Sequence, residues 1–69
     1  MLVVCSIMLA VNASGIPIVD RADVEGRLLK EDDSKYLVDF SEGVKKFDLV
    51  GKPEDYSKIL VYKSDCIKE

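Results

Sequence analysis

The feature that most constrains this chain is where its charges are absent. Met1 to Val19 contains no Asp, Glu, Lys or Arg, and all 10 basic and 13 acidic residues fall between Asp20 and Glu69. A soluble domain spreads charge along its length to keep its surfaces wet, so this discontinuity predicts two differently solvated parts.

Leu2 to Ala10 is a compact apolar block, followed by Val11-Asn12-Ala13-Ser14-Gly15. Three readings fit it. As a signal peptide, Val11 and Ala13 would fill the −3 and −1 positions of a cut before Ser14, although no positive charge precedes the block. As an uncleaved anchor, residues 2–19 have almost the length a bilayer needs in helical form, with Asn12, Ser14, Gly15 and Pro17 weakening their second half. As part of the fold, Leu2–Val11 would be a buried strand or helix. The division expected from the first two readings is a signal peptide or membrane anchor at 1–13, an extended linker at 14–22 and a folded domain at 23–69. Pro17 supports the linker, because it fixes its own φ and pushes Ile16 away from helix.

The charged part reads as β-structure. Val24, Gly26 and Leu28 alternate with Glu25 and Arg27, with Gly26 marking a bulge or bend. A polar tip, Lys30 to Lys35, leads to the clearest strand, in which Tyr36, Val38 and Phe40 share a face. Further strands are expected at Val44–Val50, Ile59–Tyr62 and Cys66–Ile67, with turns at Ser41-Glu42-Gly43 and Gly51–Asp55 and a tight turn at Lys63-Ser64-Asp65. No sustained 3.6-residue apolar period occurs after residue 20. Brief turns between short strands predict an all-β fold, a small five-stranded barrel or curled sheet behind the apolar N-terminal segment.

This order resembles the SH3-like barrels, including their Tudor and KOW-type variants. The residues carrying the resemblance are Val24–Leu29, the acidic tip, Tyr36–Phe40, and the ending Ile59–Ile67, which looks like a fourth strand, a single 3₁₀ turn and a fifth strand. The resemblance implies a binding module. The chain departs from the peptide-binding members in having no tryptophan, with Tyr62 where their groove proline would stand and Cys66 where a tyrosine would stand. Proline-rich peptides are therefore not the expected ligand, and five aromatics are too few for a core plus a methyl-lysine cage.

Composition narrows the chemistry. The chain has no histidine, so Ser–His and Cys–His nucleophile pairs are excluded and the commonest general base is missing. Its two cysteines, Cys5 and Cys66, form no zinc-ligand pattern. Removal of the N-terminal segment would leave Cys66 single, with a small apolar core residue as its simplest role. Glu31-Asp32-Asp33 lacks the spaced oxygen ligands of a calcium loop and reads as a solvated tip. A net charge of −3 with interleaved lysines disfavours nucleic acid. No enzyme, metal or cofactor is expected.

The aromatic residues are the remaining lead. Phe40 and Phe47 are expected inside, and Tyr36, Tyr56 and Tyr62 are the candidate partner-binding residues, since tyrosine combines contact area with a polar handle. The resulting expectation is a small exported, non-enzymatic module contacting a protein or cell-envelope component outside the cytoplasm. The alternative is a membrane-anchored accessory subunit of a larger complex.

Overall fold

The computed structural model describes all 69 residues, Met1–Glu69. Five antiparallel strands form one sheet: β1 Leu2–Ala13, β2 Ile16–Glu31, β3 Lys35–Asp39, β4 Ile59–Tyr62 and β5 Cys66–Lys68, in the order β4-β3-β2-β1-β5. No ladder joins β4 to β5, so the curled sheet stays open along one seam. The fold is all-β, as the sequence predicts.

The uncharged N-terminal block is β1, and it is central. It pairs with β2 along its whole length, from Leu2↔Arg27 to Ala13↔Ile16, and its first residues pair with β5 on the other edge. Val3, Cys5, Ile7 and Leu9 point inward and supply four members of a buried cluster of 10, completed by Val24, Tyr36, Val38, Phe40, Val44 and Val61. Phe40 is fully buried, as expected. Burial alternates along it, but the outward row, Leu2, Val4, Ser6, Met8 and Ala10, is uncharged and mostly apolar too, so the alternation leaves little mark in the sequence.

The linker expected at 14–22 is instead the hairpin turn and the first part of β2, and the boundary expected at residue 23 falls inside that strand. Ser14 and Gly15 both have positive φ, 52° and 80°, the backbone of a two-residue hairpin turn whose twist matches the flanking strands. Pro17 is accommodated without loss. It stands opposite Asn12, whose own N–H points away from β2 to the Asp48 carbonyl at 2.8 Å, so the proline nitrogen also faces away from β1. Twelve paired residues at about 3.3 Å each make an arm of about 40 Å, which accounts for the 39 Å long axis of a molecule otherwise 19 by 17 Å. β3 borders β2 only from Arg27 to Glu31, leaving the outer half of the arm without a strand beside it.

The strand expected at Val44–Val50 does not form. Gly43–Lys46 is a 3₁₀ turn that drops Val44 into the core, and Leu49 makes a single bridge to Val11. Consecutive Lys45 and Lys46 cannot both avoid a buried face, and the edge of β3 that such a strand would follow is paired with β4 instead. The register shift expected at Gly26 lies instead between Leu28 and Lys30. Gly26 serves close packing: a Cβ there would meet the Val38 side chain and lie 2.6 Å from the Phe40 ring. The C-terminal stretch forms as expected, with β4, a 3₁₀ turn at Lys63–Asp65 and β5 in succession.

Candidate functional site

The open seam is bounded by β1 on one side and β4 on the other. The Leu2–Cys5 end of β1 is covered by β5, and Ala10 to Asn12 are covered by the Asp48–Val50 segment through Val50 N–H to Ala10 O at 2.9 Å. Between those two covers, β1 faces a groove of about 250 Å³. Its walls are mostly apolar: Ile7 and Met8 from β1, Ile59, Leu60 and Tyr62 from β4, and Tyr56 at one end. Two polar groups flank it. Arg21 folds back from β2 and donates to the Ser6 carbonyl at 3.1 Å and the Ser6 hydroxyl at 3.2 Å, while Asp65 enters from the 3₁₀ turn.

Tyr56 and Tyr62 therefore come together, in different roles. Tyr62 is 58% exposed on the edge strand, and its neighbour Leu60 is 65% exposed. The Lys35 ammonium lies 5.4 Å from the centre of the Tyr62 ring, which steadies the ring by cation–π attraction. Tyr56 sits in a 3₁₀ turn, Pro53–Tyr56, and packs partly against the core. Its hydroxyl accepts from Ala10 N–H at 3.2 Å and ties the turn to β1. Tyr36 joins neither. It is only 6% exposed, lies in the core opposite Glu31 and Val61, and the ammonium groups of Lys63 and Lys68 stand 5.4 and 5.7 Å from its ring.

Leu60 also belongs to the outer face of the sheet, where it pairs across to Leu37, and Leu37 to Lys30. Next to that row Tyr62 pairs with Lys35. The result is an apolar strip, Leu37–Leu60–Tyr62, edged by two lysines. Met8 and Ile7 were not legible as site residues in the sequence, because nothing in the apolar block marked it as one wall of a groove.

A larger, polar hollow of about 490 Å³ lies near Arg27 and Asp39. Glu25, Asp39 and Glu42 all line it; Asp39 accepts from Ser41 Oγ at 2.6 Å and Ser41 N–H at 2.9 Å, with Arg27 at 3.7 Å, and these contacts hold its pKa below the ordinary range. No group of three or more potential ligand side chains gathers where a metal would sit. At the end of β2, Glu31 is held low by its 2.8 Å contact with Lys63, whose own pKa is raised by the same bond.

Cys5 and Cys66 form a disulfide between β1 and β5. It fixes the end of the chain that follows the 3₁₀ turn, and so fixes the Asp65 end of the groove. No helix is long and apolar enough to cross a membrane. Compared with known proteins, the chain matches no family model, no curated relative and no solved structure.

Proposed function

We propose that this chain is a non-enzymatic, SH3-like binding module that captures a protein partner through the apolar groove between β1 and β4. The observation carrying this reading is the exposure of Leu60 and Tyr62 beside that groove, on an edge strand where apolar side chains are normally replaced by charge. The strand order, with a single 3₁₀ turn linking β4 to β5, supports the SH3-like assignment. The Cys5–Cys66 disulfide supports work in an oxidising compartment outside the cytoplasm. Export in this reading rests on that bond and keeps residues 1–13 in the folded molecule, since a cut before Ser14 would remove β1 and half of the disulfide.

The test is selection from a displayed library of random peptides, using the oxidised protein as bait and Tyr62→Ala as the comparison. The side chain is mostly exposed, so the variant is expected to melt close to the parent. Enrichment of a peptide class that binds the parent and is lost with Tyr62→Ala supports the proposal. Peptides that bind both proteins equally, or no enrichment at all, would count against the groove as the binding site.

A further inference from the structure

Asn12 is the only asparagine of the chain, and it opens the sequence Asn12-Ala13-Ser14. That is the spacing of an N-glycosylation acceptor: an asparagine, any residue but proline, then a hydroxyl residue. Such a motif can be used only where a bulky, hydrated sugar has room in the folded protein.

The fold gives it that room. All three residues are exposed at the far end of the β1–β2 arm, with Ser14 in the hairpin turn itself. The Asn12 side chain holds nothing in place. Its Nδ2 has one contact, with the Leu49 carbonyl at 3.4 Å, longer than an ordinary N–H···O bond. An amide nitrogen carries two hydrogens, so attachment of a sugar would still leave one for that contact.

The same end of the arm has a surface that a glycan would cover. No charge lies between Ala10 and Val19 on either strand, and Val19 is 66% exposed. Pro17 pairs with Asn12 and Val19 with Ala10, so both lie on the face from which the Asn12 side chain projects. The first sugars would rest over Pro17 and Val19 and supply the hydration that this face lacks. The Cys5–Cys66 disulfide supports the kind of compartment in which the transfer takes place.

We infer that Asn12 is an N-glycosylation site. The donor is a lipid-linked diphospho-oligosaccharide. Asn12 Nδ2 bonds to the anomeric carbon of the sugar, the bond from that carbon to the diphosphate oxygen breaks, and the lipid diphosphate leaves. The transferring enzyme takes one Nδ2 proton, and nothing is oxidised or reduced. The inference rests on the export reading above and not on the groove. Asn12 lies beyond the Asp48–Val50 segment and does not line the groove, so the glycan leaves it open.

The experiment is the intact mass of the full chain, secreted from cultured animal cells behind a cleavable leader. It is read before and after treatment with a peptide N-glycosidase in heavy-oxygen water. The parent is compared with Asn12→Gln and with Ser14→Gly. Glycine removes the hydroxyl yet suits the positive φ of 52° at that position, so the turn is kept. The parent is expected to carry one glycan, whose removal leaves a heavy-oxygen aspartate at position 12, and both variants should lose the glycan completely. A parent secreted with its disulfide closed but without sugar overturns the inference and leaves the export reading standing. A glycan that persists in both variants overturns Asn12 as its point of attachment. A parent kept inside the cell, without sugar and with both thiols free, overturns the export reading and the inference together.

Discussion

Cys5 and Cys66 stand directly opposite one another on β1 and β5, with Cα atoms 4.0 Å apart, and their sulfurs are bonded. Cys5 is fully buried in the middle of the sheet. β5 is only three residues long, so the disulfide secures a strand whose own ladder is short.

The bond spans a sequence separation of 61. Closing a loop of that order removes chain entropy worth about 4 kcal/mol, a large share of the stability available to so small a domain. Cys66→Ser, or reduction of the parent, is therefore expected to move the urea midpoint sharply downward. Urea unfolding with and without a dithiol reductant checks this; coincident curves would show that the bond contributes nothing.

Gly26→Ala should destabilise by about 1–3 kcal/mol, the usual cost of inserting an extra methyl into a packed site. The new Cβ would press on Val38 and Phe40, both fully buried and with no free space to yield into. Thermal unfolding measures the loss, and an unchanged melting temperature would contradict the close approach of β2 and β3.

A chain starting at Ser14 should not fold. It lacks the strand that pairs with β2 from Ile16 to Arg27, four core side chains and one half of the disulfide. Circular dichroism of residues 14–69 is expected to show no cooperative thermal transition. A folded 14–69 product would instead support a removable N-terminal segment.

Acid should weaken the fold in a defined window. Serine hydrogen bonds lower the pKa of Asp39, backbone N–H groups of Ser34 and Lys35 lower that of Asp32, and Lys63 lowers that of Glu31. A carboxyl whose folded pKa is depressed stabilises the fold above its unfolded value, and that contribution disappears as pH falls through the folded one. Glu69 acts in the opposite sense, since its hydrogen bond with Glu25 raises its pKa. Lys45 and Lys63, both raised by carboxylate partners, contribute until the pH rises past the ordinary lysine range. The melting temperature is expected to be level through neutral pH and to fall below about pH 4, with Asp39→Asn flattening the acid limb. A parent profile flat to about pH 2 would remove these carboxylates from the account.

The sequence by itself determined the all-β class, because Tyr36–Phe40 and Ile59–Tyr62 carry β-branched and aromatic residues in short runs between turn residues. It also determined the short strands at Ile59–Tyr62 and Cys66–Ile67 and the tight turn between them, which the resemblance to SH3-like barrels reads as 3₁₀. The tertiary structure decided the rest. Leu2–Ala13 alternates buried Val3, Cys5, Ile7 and Leu9 with outward residues that are also uncharged, so it had the composition of a leader until its partners were known. Val44–Val50 did not join the sheet, because β3 pairs directly with β4 and Val44 is drawn into the core by a 3₁₀ turn. Tyr36 went to the core and Tyr62 to the rim because Tyr36 pairs with Val61 in the β3–β4 ladder, which turns the adjacent Tyr62 to the opposite face, and the groove exists only where β1 and β4, from opposite ends of the chain, face each other. Strand pairing across such separations is set by which faces can be buried together, and one-dimensional pattern carries no record of it.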